Sequence, residues 1–339
     1  MSYPNYVFSI FAFIGFVLAI IPLRWHLDSW NAGTCLYMLW TAIACLNQFI
    51  NSIVWDGNVI NHAPIWCDIS IRIILGASMA IPAASLCINR RLYRISRLTT
   101  VKITKAEKLR DIGVDLAIAL GVPILFIILS YIPQGHRFDI YEDLGCVPVS
   151  YMTPVQLALV QLPPVAIGFI TAIYSVLSMR AFFNRNRKLQ ALISDHKSMN
   201  TNRYFRLMCL AGIDVLLTVP LGSYAAYQSI TTGGGIHPWI SWEDTHWGFA
   251  RHEVVPAFLW RRVSSIESAI EFNRWQIIIC SFIFFGFFGF AEEARHNYRS
   301  AFWSVAGRFG YTRTVTANSD RCRIFFFLKY LNGDINLDQ

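Results

Sequence analysis

The chain has 339 residues, of which 55% are hydrophobic and only 15% charged, and its formal net charge is +8. With a mean hydropathy of +0.42 it has too little polar surface to cover a water-facing globule, because soluble domains carry about 25% charged residues. An ordinary soluble enzyme is excluded and no nucleic-acid partner is expected; the positive charge asks instead which side of a bilayer it occupies.

A spanning helix needs roughly 20 mostly apolar residues. Charge-poor stretches of that size predict seven spans, at about 6–23, 31–54, 66–89, 114–133, 155–179, 206–230 and 275–291. The first follows no basic leader segment and no small-residue cleavage site, so it is expected to stay in the protein. The second carries Asn47, Gln48 and Asn51, for which hydrogen bonding between helices is the expected use. The third begins near Trp66, Cys67 and Asp68, and Arg72 stands four residues after Asp68, a spacing that suits a pair on one helix face. It ends in a basic run with Arg90, Arg91, Tyr93 and Arg94. The fourth leads through Gln134, His136, Arg137 and Phe138 towards Cys146.

Pro82, Pro123, Pro163 and Pro164 fall within the third, fourth and fifth spans. The sixth contains Asp214 and Pro220. An ionisable group inside a span normally faces protein or water with a partner; Arg180 and Arg206 are the candidates, giving a polar latch between the fifth and sixth helices. Pro220 removes a backbone hydrogen bond and can make a hinge. The segment at about 231–274 carries Trp239, Trp242, Trp247 and Trp260. Tryptophan favours the membrane–water interface, so this segment is expected either as a solvated insertion with interfacial anchors or as a lid on the bundle. A short basic tail, 295–339, follows the transmembrane domain of 1–294.

Loops on the cytoplasmic side carry the excess of Lys and Arg. With the N-terminus outside and the C-terminus in the cytoplasm, 23 of the 29 basic residues, including all six lysines, lie inside. The opposite orientation would put those 23 outside. Of the eight cysteines, only Cys67 and Cys146 are then placed outside, in the oxidising compartment, and a Cys67–Cys146 disulfide is predicted. No zinc-protease motif, P-loop or serine-hydrolase elbow appears, and no metal or cofactor site is expected. No span contains a lysine, which removes a retinal Schiff base. A polytopic transporter or channel remains the alternative to a receptor.

Several local patterns occur in a fixed order: PLRWH at 22–26 with Trp30 and Asn31, WCDI at 66–69, IPAA at 81–84 leading to RRLY at 90–93, QGHRF at 134–138, GCVP at 145–148, NRYFRLM at 202–208, and Asp214 with VPLGSY at 219–224. In these the sequence resembles the fungal mating-pheromone receptors that detect lipid-modified peptides, a class of G-protein-coupled receptor. The resemblance implies a multi-pass plasma-membrane receptor with no enzymatic activity. Its ligand would be a prenylated peptide pheromone and its partner a heterotrimeric G protein; homo-oligomerisation is left open. Trp66, Asp68, Arg72, Gln134, His136, Arg137, Phe138 and Tyr224 are the candidate ligand-binding residues. Arg90, Arg91, Tyr93, Arg94, Arg203, Arg206, Asp214 and Pro220 are the candidate coupling or switch residues. The inner basic loops can also bind anionic membrane lipids. The third helix ends in Asn89-Arg90-Arg91 rather than the D-R-Y triplet of animal receptors, so their ionic lock is not carried over.

Overall fold

The computed structural model describes residues 4–28, 31–97, 104–190 and 235–289, with scattered positions between 209 and 231 and Arg299. The chain divides into two compact units, Met1–Ala291 and Glu292–Gln339, and all the elements described below belong to the first. Helix α1 is Asn5–Ile20, α2 is Ala32–Val54 and α3 is Pro64–Arg97. Helix α4 runs from Lys105 to Leu129 and α5 starts at Pro154. The described positions between 209 and 231 are helical and mark α6; α7 is Ser264–Phe288. Among the described residues, five helices are long and apolar enough to cross a membrane, and α1 is a shorter apolar helix. Helix α3 packs against α2, α4 and α5, while α1 lies against α2 and α7.

Helix ends follow local chemistry more than hydropathy. Helix α1 stops before Pro22, which lacks the N–H the next turn needs, and a short helix, Leu23–Asp28, restarts there. At about 1.5 Å per residue, the 34 residues of α3 outrun the apolar core of a bilayer, so both ends project. Helix α4 opens on a complete capping box, Thr104 with Glu107, eleven residues before its charge-free stretch begins. Helix α7 starts at Ser264 with Glu267, Glu271 and Arg274 on its first turns, well ahead of its apolar part.

Two π-helical turns, Ala117–Gly121 in α4 and Leu157–Gln161 in α5, each precede a proline. Pro123 cannot donate to the carbonyl of Ala119, one turn back. Trp40 of α2 supplies the missing donor, its Nε1 lying 3.2 Å from that oxygen. The proline thus creates an acceptor inside the bundle, and the indole uses it to tie α2 to α4.

The helical bundle carries one small sheet at the end where α2 runs into α3. Strands β1 (Phe138–Tyr141) and β2 (Gly145–Val147) form an antiparallel hairpin, with Ile140 opposite Cys146. Strand β3 (His252–Val255) pairs in parallel with the other edge of β1. The segment before α7 is therefore structured as a lid on the hairpin: Ala257 N donates to Glu142 Oε2 (2.7 Å) and Trp260 Nε1 to the Glu142 carbonyl (3.3 Å). Trp242 and Trp247 remain exposed. Of the triple glycine at 233–235, only Gly235 is among the described residues.

Gly145 lets β2 lie this close to α2. Its φ is +81°, and a Cβ there would fall 2.7 Å from Trp55 Cε3 and 2.8 Å from Asn51 Cβ. A side chain would meet both a left-handed backbone and a wall, at a cost of about 1–3 kcal/mol for the backbone alone. Gly145→Ala is expected to lower the thermal unfolding midpoint of the detergent-solubilised protein by several degrees, whereas Gly113→Ala, with nothing within 4 Å of its Cβ, is expected to leave it within a degree or two.

Candidate functional site

The hairpin is fastened at several points. Cys67, on the first turn of α3, is disulfide-bonded to Cys146 of β2, with Cα atoms 5.2 Å apart. Around the bond Trp55, Ile71, Phe138 and Ile140 form a buried apolar cluster. Asp143, at the hairpin tip, takes a positive φ of 69°, which Asp tolerates better than most residues. That turn aims its carboxylate at two segments: Oδ1 accepts from Gly57 N (3.0 Å) and Oδ2 from Arg261 Nη2 (2.8 Å). Its backbone N–H donates to the Trp55 carbonyl (2.9 Å). One residue thus joins the α2–α3 connection, the hairpin and the lid.

The sequence-predicted residues near the third span gather in a polar network beside the hairpin. Asp68 does not pair with Arg72, as the i, i+4 spacing suggested. Arg137 takes the Asp68 carboxylate with two donors (Nε–Oδ1 2.9 Å), and Arg72 Nη2 donates to Gln134 Oε1 (2.7 Å). A bidentate fork is a better use of a carboxylate than a same-face helical contact, and the folded hairpin brings that fork within reach. Gln134 Nε2 then donates to the carbonyls of Arg137 (2.8 Å) and His136 (3.1 Å). His136 Nε2 lies 2.6 Å from Asp139 Oδ1, and that same oxygen accepts from Glu253 N of β3 (3.2 Å). Trp66 Nε1 donates to Asn51 Oδ1 (2.8 Å), while Asn51 Nδ2 donates to Ser70 Oγ (2.9 Å). Phe138 is fully buried. Tyr224 is half-exposed.

Beneath the hairpin lies a cavity of about 460 Å³. Tyr141, Leu144, Cys146, Val147 and Pro148 form its roof, and α2, α3, α5, Gly222 and α7 its walls. None of the eight candidate ligand-binding residues lines it; all but Tyr224 belong to the bonds and the cluster around the hairpin. The wall is mostly aliphatic, with Ile73, Ile74, Ile81, Val160, Val165 and Ile277 prominent. Burial pushes the Tyr141 hydroxyl above its usual range, helped by Asp139 and Glu253, so it stays a neutral donor there.

Among the described residues Arg274 is the one charged side chain on the lining, and it is only 3% exposed. Three acceptors hold it: Glu271 Oε1 (3.2 Å), Asn5 Oδ1 (2.9 Å) and the Asp143 carbonyl (3.4 Å). Its guanidinium also lies 3.6 Å from the centre of the Phe8 ring. It thereby ties α7 to α1 and to the hairpin tip. Asn47 of α2 also lines the cavity. The sequence offered no reason to rank it above Gln48, which lines the cavity with it, or Asn51, which does not.

At the far end of α3, Arg90 Nη2 donates to Asp115 Oδ1 of α4 (2.8 Å), and Arg94 pairs with Asp111 one turn further on. Asp115 is 1% exposed. Arg91 Nη1 donates to Asn31 Oδ1 at the start of α2 (3.4 Å), and Tyr93 meets Tyr174 of α5 edge-on. Asp111 and Asp115 were not among the sequence candidates, because they flank the charge-free stretch of the fourth span. A signal was present: two carboxylates four residues apart match two arginines four residues apart on the preceding helix. Arg203, Arg206 and Asp214 lie outside the described residues, while Pro220 is helical and exposed.

Residues 7–310 match the profile of the pheromone A receptor family. The chain is 45% identical over 307 residues to the pheromone B alpha 3 receptor of Schizophyllum commune, covering 91% of this chain and 48% of that protein. It is 34% identical to pheromone receptor 1 of Ustilago hordei, with 88% and 83% of the two chains covered. Identity to the pheromone a factor receptor of Saccharomyces cerevisiae is 22%, over 90% and 63%. The chain spans about half the length of the Schizophyllum relatives it matches. A profile match across most of a seven-helix chain, with relatives above 30% identity along nearly all of its length, fixes the family: the chain belongs to the pheromone A receptors.

Proposed function

We propose that the chain is a plasma-membrane receptor that detects an extracellular prenylated peptide mating pheromone and activates a heterotrimeric G protein. The observation that carries this reading is the aliphatic cavity closed by a disulfide-tied hairpin, in a chain whose family is that of pheromone receptors. A prenyl chain suits such walls, and the peptide part suits the polar network around Arg137, Asp68 and Gln134. The hairpin end is taken as extracellular, which agrees with a disulfide there and with the basic excess in the segments at the opposite end.

The coupling face is the end that carries Arg90, Arg91, Tyr93 and Arg94. Ligand binding shifts a population only if the active bundle binds the ligand better than the resting one. In the resting bundle Arg90–Asp115 and Arg94–Asp111 hold α3 to α4. Activation releases that hold while α6 pivots near Pro220 and opens a cleft towards the G protein.

Two outcomes are expected. Expressed in a yeast strain lacking its own pheromone receptors and carrying a mating-pathway reporter, the chain responds to a synthetic farnesylated peptide from a pheromone panel and not to the unprenylated control. A response of equal size without the prenyl group, or one that persists without the G protein, would overturn the reading. Removing one partner of a buried ion pair costs about 3–5 kcal/mol. Asp115→Asn is therefore expected to lower the unfolding midpoint by several degrees and raise ligand-free reporter output, and Arg90→Gln in the same chain to recover much of the stability. Unchanged basal output at equal surface expression would remove the ion pair from the switch.

A further inference from the structure

Asn47 and Asn51 lie one helical turn apart on α2 and are each 1% exposed. Asn51 uses both ends of its amide, on Ser70 and Trp66. Asn47 uses neither: among the described residues its Nδ2 and its Oδ1 are both buried without a hydrogen-bond partner. Of the buried unpartnered side-chain atoms described, only those of Asn47 account for a donor and an acceptor on one amide. Native proteins rarely leave buried amides unsatisfied, and this one lines the cavity.

The chemistry of the missing partner follows from what the amide offers. It presents an N–H donor and a carbonyl acceptor side by side, with no charge. A carboxylate would satisfy the donor and repel the acceptor; a cation would do the reverse. A neutral peptide unit, which carries one acceptor and one donor of its own, satisfies both. Discrimination also needs such a group. A prenyl chain already dissolved in lipid gains little on moving to an equally apolar protein wall, so the polar contacts must tell a lipopeptide from any other isoprenoid in the bilayer.

We infer that Asn47 is a specificity-determining residue that hydrogen-bonds a backbone amide of the ligand next to its lipid. The inference rests on the cavity's being the lipopeptide site. Arg274, on the same lining but already held by Glu271 and Asn5, is left to fix the frame.

The test uses the full chain purified into nanodiscs and two defined probes: N-acetyl-S-farnesylcysteine methyl ester, which has one amide, and farnesyl methyl sulfide, which has none. Binding is read by competition against a fluorescent farnesylated peptide. The wild type is expected to bind the amide probe five- to tenfold more tightly. Asn47→Leu, which keeps the branching at Cγ and removes both polar groups, is expected to abolish that preference while binding the amide-free probe as well as before. Asn47→Gln, which keeps the amide chemistry, is expected to retain part of the preference. If Asn47→Leu preserves the preference, or weakens both probes equally, Asn47 merely shapes the wall or holds a water, and the inference fails while the receptor reading stands. If neither probe competes on the wild type, the cavity is not a prenyl site and both readings fall.

Discussion

The bond between Cys67 and Cys146 is the constraint on which the architecture of the hairpin end depends. It closes a loop of sequence separation 79, and in the chain-entropy account such a cross-link is worth on the order of 4 kcal/mol. Its larger consequence is positional. Cys146 is at once a strand residue opposite Ile140, a member of the buried cluster and part of the cavity roof. Fixing it to α3 fixes β2, hence β1, hence β3 and the lid. A three-stranded sheet of three- and four-residue strands would not be stable alone; here it borrows its rigidity from a transmembrane helix.

Polar groups divide into two populations in this bundle. Those with partners build the frame: Asn51 between α2 and α3, Trp40 onto the carbonyl that Pro123 frees, Arg274 across three segments. Inside a membrane each such bond replaces an unsatisfied group rather than a hydrated one, so the frame resists rearrangement. Asn47 has no hydrogen-bond partner among the described residues and belongs to the cavity lining. The division makes physical sense for a protein whose solvent is as apolar as its interior. Apolar contact supplies shape and retention, while selectivity has to come from the few polar groups that remain to be satisfied.

The helices were legible in the sequence because a stretch of about 20 apolar residues has few other uses. Their ends were not, because α3, α4 and α7 continue beyond the bilayer on charged turns that read as loop. The sheet was invisible for a related reason: FDIY and HEVV are short, carry charge and show no usable alternation. The disulfide could be anticipated because orientation left only two cysteines outside. The partner of Asp68 could not, since it has Arg72 within one turn and chooses Arg137, 69 residues away, once the hairpin is folded. Of the candidate ligand residues, all but Tyr224 gather at the hairpin end, and the cavity lining is made mostly of aliphatic residues that carry no individual signal.

Helix α3 connects the two ends in a single element. Cys67 sits on its first turn and Arg90 lies 23 positions later, roughly 35 Å along the axis. The roof and the ion pairs to α4 are thus attached to the same rod, with Pro82 between them and on the cavity wall. The cavity under the roof meets α3 at Ile73, Ala77 and Ile81, while the pairs at the far end hold α3 against α4. Two attachments on one stiff element are coupled without a chain of intermediates: any shift of α3 at the cavity has to be accepted by the ion pairs at its far end or break them. On the function proposed above, the strength of those pairs sets the threshold a ligand's differential affinity has to exceed, and weakening them lowers that threshold even with the cavity empty.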